Sequence, residues 1–464
     1  MDKFGKSQPV TRIEDSRFLT GRGRYVDDIA PADALHGFVF RSPVAHAEIA
    51  GLDVTAACEA EGVALVLTAQ DLLEAGVEIG IPATLVKNRD GSMGASPERP
   101  LLARDRVRFV GEAVAMVFAE TLDQARDAAE LIEVDLKALP VHTALATGGP
   151  QIHPEAPDNR AYDWAMGDEA ATAAAFDSAA HTVTLKVDDN RIICNAMEPR
   201  GCYAEWDGER LHLAFNGQGV WGMKGELVRA LGLDAEQVRV TNPDVGGGFG
   251  MKGMPYPEYH VCAFAARALG RPVRWMSERG EAMLTDNAGR DLASTLELAF
   301  DADHRITGFR TETISNLGAY NSNFAQLIQS QLYSRVLTGV YHMPAIWLHV
   351  QGVYTNTTQV DAYRGAGRPE AIYALERIMD RAARELGVDP WDLRRRNFLK
   401  PDQFPYKTLV GETYDVGDFA RVLDHAARRA DRDGFAARRA ESEAVGLLRG
   451  QGLCYYIESI LGAP

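Results

Sequence analysis

Cysteine is scarce and scattered: Cys58, Cys194, Cys202, Cys262 and Cys454 are the full set among 464 residues, with no C-x-x-C spacing. That excludes an iron–sulfur cluster or a structural zinc built from this chain alone, and an odd, sparse set makes no disulfide framework. Such usage fits a reducing compartment. Long apolar runs are missing as well, since no window reaches the roughly 20 residues of a membrane-spanning helix. The opening Met-Asp-Lys-Phe-Gly-Lys carries neither an apolar leader core nor a twin arginine. A cytoplasmic protein with no membrane partner is the expectation. Positive charge is in deficit, with 49 Lys and Arg against 65 Asp and Glu for a net charge of −16. That balance argues against nucleic acid as a partner.

What remains is ordinary soluble material, 46% hydrophobic and 25% charged, and long enough for two to four domains. Residues 1–140 read as a small α/β unit with strands at 36–41, 63–68, 114–118 and 132–136. The third is a continuous apolar run, Val114-Ala-Met-Val-Phe118, expected to be buried on both faces. Thr121 caps a helix over 122–131. His46, in the turn after Arg41, reads as a hydrogen-bonded structural histidine, with a functional role as the alternative. Residues 141–180, rich in Ala, Gly, Pro and Asp, read as a linker.

From His181 the pattern turns to strands at 182–187, 202–206 and 211–216, then a helix at 224–231 closed by Gly232. A strand at 238–241, a helix at 258–269, a strand at 273–276 and two strands within 292–314 follow. Pro369 stands at the first position of a periodic helix whose apolar stripe is Ala371, Leu375, Ile378, Met379, Ala382 and Leu386. Asp389-Pro390 opens another, carrying Arg394-Arg-Arg396, which reads as a solvated face rather than the alternative, a binding patch. Residues 447–460 end the chain in a strand-like pattern.

Two stretches carry chemistry. In the first, Asn242-Pro-Asp244 leads into Gly246, Gly247, Gly248 and Gly250, interrupted only by Phe249, with a helix behind. Glycines there let backbone amides approach a ligand closely, as an anionic cofactor needs, or simply make a tight turn. Met251 and Gly253 stand where a P-loop requires glycine and a hydroxyl, and the surroundings supply no dinucleotide fingerprint. The second stretch is Asp361-Ala-Tyr-Arg-Gly-Ala-Gly-Arg-Pro-Glu370. Its Arg364 and Arg368 could meet phosphate or oxo groups, or pair with nearby carboxylates.

Asp244-Val-Gly-Gly-Gly-Phe-Gly250, preceded by Gln218 and followed by Ala362-Tyr-Arg-Gly-Ala-Gly-Arg-Pro-Glu-Ala371, resembles the molybdenum hydroxylases. These are the xanthine dehydrogenase, aldehyde oxidase and carbon monoxide dehydrogenase large subunits. Gly21-Arg-Gly-Arg-Tyr-Val-Asp-Asp28, Arg41-Ser-Pro-Val-Ala-His-Ala47 and Val110-Gly-Glu-Ala-Val-Ala115 resemble their hammerhead domain. The resemblance implies an α+β chain: an α/β-hammerhead domain over 1–140, a linker over 141–180, a first molybdopterin-binding domain over 181–440, and the start of a second over 441–464. It also implies a molybdenum–pterin cofactor, expected in the cytosine dinucleotide form, with metal-assisted attack of water-derived oxygen on an electron-poor carbon and a glutamate as general base. The [2Fe–2S] clusters and FAD are expected on partner subunits.

Carried over by position, Gln218 matches the glutamine whose amide donates to a molybdenum oxo ligand, and Gly247, Gly248, Phe249 and Gly250 match the loop beside the metal. Arg364 matches an arginine that helps orient substrate in the purine-oxidising members, and Gly365, Ala366 and Gly367 complete the second cofactor loop. The metal itself is expected to be held through the pterin dithiolene, with no protein ligand.

Three departures follow. Purine oxidisers carry an acid at the position of Gly253, and copper-containing carbon monoxide oxidisers carry cysteine at Gly365, so aldehydes and N-heterocycles remain as substrates. The base glutamate belongs to a second half of the family's large subunit, and Glu458 lies in an early strand of that half and is not the base. A large subunit split between two chains, or a truncated one, is therefore expected, active only with a separate chain bearing that half and with its Fe–S and FAD subunits. The alternative is a non-catalytic paralogue serving cofactor binding or assembly.

Overall fold

The computed structural model describes residues 10–459, so the opening hexapeptide and residues 460–464 of the expected second-domain start lie outside the described residues. The described chain forms two compact units. The first runs through Ile81 and takes in Arg99–Leu139 and Asn195–Thr285; the second comprises Pro82–Glu98, Pro140–Cys194 and the chain from Asp286 onward.

A seven-stranded sheet is the frame of the first unit. Its order is Val238–Thr241, Leu211–Phe215, Gly201–Trp206, Val273–Met276, Leu35–Arg41, Ala113–Ala119 and Val63–Thr68. Leu35–Arg41 runs parallel to Val273–Met276, and Leu211–Phe215 parallel to Val238–Thr241; the other neighbours are antiparallel. Every residue of Ala113–Ala119 is buried, as its unbroken apolar run requires. The helix Leu122–Glu130 begins where Thr121 Oγ1 accepts the Gln124 N–H at 3.2 Å, and Ala125, Ala128 and Ala129 face inward. His46 is buried in the turn between two strands, its carbonyl accepting the Leu139 N–H.

A buried charge cluster ties this unit together. Glu258, at the start of the helix Pro257–Leu269, accepts from Arg41 Nη2 at 2.6 Å and from Arg200 Nη1 at 3.0 Å. Arg41 also holds Glu281 at 2.5 Å, and the fully buried Arg200 lies 3.7 Å above the Tyr256 ring. Burial alone would raise the Glu258 carboxyl, but Arg200 and Arg41 outweigh it and bring it down to about 2. That lowered value contributes stability above about pH 4.5, lost as pH falls through the folded value.

The second unit is built on a five-stranded sheet ordered His181–Asp189, Leu292–Phe300, Ile306–Gly318, Ile346–Tyr354 and Arg160–Gly167. Only Ile306–Gly318 and Ile346–Tyr354 run parallel. The stretch read as a linker thus carries the edge strand Arg160–Gly167 and the helix Glu169–Asp177. That helix is a run of alanines with no clear polar face, so its composition hid it. Ala371, Leu375, Ile378, Met379 and Ala382 of the helix Arg368–Glu385 are buried in the main core, as the stripe predicts, with Leu386 packed partly buried at its edge. Pro369 takes the second helical position rather than the first. The strand Ile346–Tyr354 and the helices Phe419–Arg429 and Phe435–Ala444 were not read from the sequence.

Residues 447–459 are not a strand. Their side chains do alternate, Leu453, Tyr455 and Ile457 packing on the core while Cys454, Tyr456 and Glu458 are exposed, so the pattern is that of a half-buried extended chain. In place of ladder bonds, side chains hold the backbone: Arg394 Nη2 donates to Leu453 O at 3.2 Å and Glu376 Oε2 accepts the Tyr455 N–H at 2.9 Å. Among the described residues no helix is long and apolar enough to cross a membrane.

On the five-stranded sheet His349 is clamped between two carboxylates, Asp163 at 2.6 Å and Glu312 on the other ring nitrogen. Glu312 first and Asp163 next raise the imidazole pKa against the effect of burial. A raised folded-state value means that the clamp stabilises fully below about pH 6.5 and is lost as pH rises through that value. Urea titrations of wild type and His349→Gln between pH 5.5 and 8.5 are expected to show wild-type stability falling with pH and the variant's staying flatter. Parallel curves would contradict the clamp.

Candidate functional site

The first glycine loop is anchored before it begins. Asp244, just after the strand Val238–Thr241, accepts the Arg24 N–H at 2.7 Å and pairs with Arg17, which ties the Gly21–Asp28 motif to the loop. The loop then folds against Glu198. Glu198 Oε2 accepts the Gly246 N–H at 2.7 Å and the buried Lys252 ammonium at 3.2 Å. Glu198 Oε1 is buried with no hydrogen bond among the described residues. Arg200, two residues on, is the guanidinium fixed by Glu258, so the charge cluster also sets where Glu198 stands.

Gly247 and Gly250 take φ of 101° and 93°, and Phe249 between them is left-handed at 56°. A non-glycine residue there costs on the order of 1–2 kcal/mol. The Phe249 ring is 41% exposed, so that strain is spent on turning an apolar ring outward. Gln218, itself exposed, folds back over the loop: its Oε1 accepts the Gly250 N–H at 2.7 Å and its own N–H donates to Lys252 O at 3.1 Å. Pinning the amide oxygen fixes the amide plane, so Nε2 is presented as a donor with no acceptor among the described residues. The N–H groups of Gly247, Gly248 and Phe249 likewise have none. At Gly248 a Cβ would lie 2.5 Å from Gln218 Oε1, so glycine is required for the close approach. Gly253 sits on the other side of Gln218, a Cβ there falling 3.6 Å from the Gln218 Cβ.

The second loop belongs to the other unit. Gly365, Ala366 and Gly367 have φ of 98°, 50° and 85°, three left-handed residues in succession before the helix Arg368–Glu385. A Cβ on Gly367 would stand 2.1 Å from Ile328 O, and one on Gly365 2.2 Å from the Pro369 ring. The buried Arg290 braces the turn, its Nη2 donating to Arg364 O at 2.9 Å and its Nη1 to Tyr363 O at 3.1 Å and Glu370 Oε1 at 3.0 Å. Nearby, burial first and the Glu370 charge second push Asp189 up to about 6 against the pull of Arg290. Arg368 is engaged, its Nε holding Gly365 O at 2.7 Å and Glu458 at 3.0 Å, the carboxylate pairing allowed for it in the sequence. Arg364 is different: its side chain is exposed and has no partner among the described residues.

Gln218 therefore meets the Gly246–Gly250 loop in one unit, while Arg364, Gly365, Ala366 and Gly367 form their own cradle in the other. Glu198, Lys252, Arg290 and Glu370 were not singled out in the sequence. Met197-Glu-Pro-Arg200 and the lysine closing Gly250-Met-Lys252 are the signals that mark the first pair. Among the described residues no group of three or more His, Cys, Asp or Glu gathers to hold a metal ion.

Residues 152–398 match the molybdopterin cofactor-binding domain family, and residues 20–140 match the aldehyde oxidase and xanthine dehydrogenase a/b hammerhead domain family. The chain is 36% identical to the nicotine 6-hydroxylase large subunit of Paenarthrobacter nicotinovorans over 97% of its own length and 55% of that subunit's. Quinoline 2-oxidoreductase from Pseudomonas putida 86 superposes with a TM-score of 0.87 at 35% identity, covering 94% of this chain and 56% of that one. The chain thus spans about half the length of these two relatives. The nicotinate dehydrogenase large molybdopterin subunit of Eubacterium barkeri, 28% identical, is covered over 96% of its length by 92% of this chain.

Two substitutions test the loops. Gly248→Ala is expected to displace Gln218 and break its bond to Gly250, read as faster hydrogen exchange at the Gly250 amide; unchanged exchange would show that the close approach is dispensable. Gly367→Ala adds a clash with main chain to a positive φ, and is expected to cost on the order of 3 kcal/mol in denaturant unfolding.

Proposed function

The chain belongs to the xanthine dehydrogenase and aldehyde oxidase family of molybdenum hydroxylases, and from that premise we propose that it is the cofactor-binding part of a large subunit that oxidises an N-heterocycle or an aldehyde. The observation that carries the reading is Gln218, whose amide oxygen is pinned by the Gly250 N–H and whose amide nitrogen is free to donate. When bound, the molybdenum cofactor supplies Lewis-acid activation of water-derived oxygen and a two-electron sink. The residues present fit such a group. A neutral amide donor suits an oxo ligand, and three unbonded amides at Gly247, Gly248 and Phe249 offer donors to an anionic cofactor with no counter-charge. The glycine required at 248 keeps that approach open.

Gln218 orients one face of the cofactor, and the exposed Phe249 ring shields the same loop from water. In the other unit, the left-handed turn Gly365–Gly367 offers backbone to the cofactor, and Arg364, whose side chain has no partner among the described residues, is the residue that orients substrate. No carboxylate stands at Gly253 beside Gln218, which weighs against purines, and Gly365 offers no thiolate for copper. Two relatives named for action on nicotine and on quinoline favour an N-heterocycle. The cytosine dinucleotide form of the pterin, the Fe–S and FAD partners and a second chain bearing the general base are part of the same reading.

The test is Gln218→Ala in the assembled complex, with turnover on an N-heterocycle and molybdenum content measured together. Loss of a preorganised donor is expected to lower kcat by about 10²–10³-fold with molybdenum retained. Full turnover in the variant would point to a non-catalytic subunit. A matured wild-type complex without molybdenum or pterin would overturn the assignment.

A further inference from the structure

The three consecutive arginines at 394–396 meet three different fates. Arg394 is fully buried and consumed by Glu376 and Asp380, each at 2.9 Å. Arg395 pairs with Asp424 on the surface. Arg396 has no carboxylate partner: its Nη1 donates to the carbonyl of Asp303 at 2.6 Å, and its own carbonyl accepts from Arg305 Nη1 at 3.3 Å. Arg305 has no carboxylate partner either, nor has Lys400, among the described residues. These three cations line a cleft of about 310 Å³ in the second unit.

His342 also lines the cleft, its exposed ring making no hydrogen bond among the described residues, and Phe398 gives it an apolar wall. The only acid in the lining is Asp402, against Arg305, Arg396 and Lys400. In a chain of net charge −16, where most arginines find a carboxylate, three cations lining one cleft against a single acid favour an anion there. Guanidiniums tethered to neutral carbonyls stay oriented while keeping further N–H donors free. That suits the three acceptor oxygens of a phosphate better than a spherical halide.

We propose that the cleft between Arg305, Arg396 and Lys400 binds a phosphate group, either as the free ion or at the end of a small organic molecule. The volume is at the lower end for small-ligand sites, enough for a phosphomonoester with its organic part against Phe398. The site stands on these contacts alone and is independent of the molybdenum reading.

Calorimetric titration of the full chain at constant ionic strength tests it, with inorganic phosphate, phenyl phosphate and sodium chloride as the probes. Phosphate probes are expected to bind where chloride does not, and Arg396→Gln with Lys400→Gln is expected to weaken them at least tenfold. Arg395→Gln, outside the cleft, should leave binding unchanged. Phenyl phosphate binding more tightly than inorganic phosphate would identify an ester as the ligand; equal affinities would identify the free ion. Lys400→Gln with His342→Asn, which spares the Arg396 anchor, repeats the test should the first pair fail to fold. Phosphate binding no stronger than chloride, or undiminished in the folded variants, would overturn the proposal.

Discussion

The first unit depends on one carboxylate. Glu258 is buried between Arg41 and Arg200, and removing it would strip the buried Arg200 of this carboxylate and leave Arg41 to Glu281, a loss of about 3–5 kcal/mol for a broken buried pair of this kind. The three residues come from a strand end, a loop and a helix start, so their pairing places those elements against one another. The loop member matters most for the site. Fixing Arg200 helps fix Glu198, which takes the Gly246 N–H, donates its own N–H to Gly246 O at 3.1 Å and neutralises Lys252, so both sides of the loop's first turn rest on Glu198. The second unit has a counterpart: Arg394 is buried against Glu376, whose other oxygen takes the Tyr341 hydroxyl at 2.6 Å.

The two glycine loops reach similar shapes under different constraints. Each inserts one side-chain-bearing residue in a left-handed conformation between glycines, Phe249 in one and Ala366 in the other. In the first, glycine is demanded by a neighbouring side chain, Gln218; in the second by main chain, Ile328 O. A side chain can move aside and a backbone carbonyl cannot do so cheaply. The first loop is therefore adjustable around its amide donor, and the second is a rigid shelf braced by Arg290.

Much of this was legible in the residues. Val114–Phe118 announced a strand buried on both faces, and Gly232 and Gly270 ended their helices in the left-handed region. The glycine loops were found because their residue types are unusual at short range, and Gln218 only through the family resemblance that those loops carry. What was not legible depended on distant partners. Glu258 reads as an ordinary acid in a first helical turn until Arg41, 217 residues away, is placed beside it. Residues 447–459 have the alternation of a strand, yet alternation reports which side chains are buried and says nothing about a hydrogen-bonding neighbour. The alanine-rich helix Glu169–Asp177 failed for the opposite reason, being helical by propensity but lacking a polar stripe.

The strand order of the seven-stranded sheet carries a consequence for the chain as it leaves the ribosome. Leu35–Arg41 pairs along one edge with Ala113–Ala119 and along the other with Val273–Met276. The first partner follows soon after; the second is more than 200 residues later, a delay of roughly ten seconds or more at ordinary translation speed. Until then Leu35 and His36 lack their partners on that edge, and Arg41 at the other end of the strand awaits Glu258. Slower decoding between residues 120 and 270 would lengthen that interval.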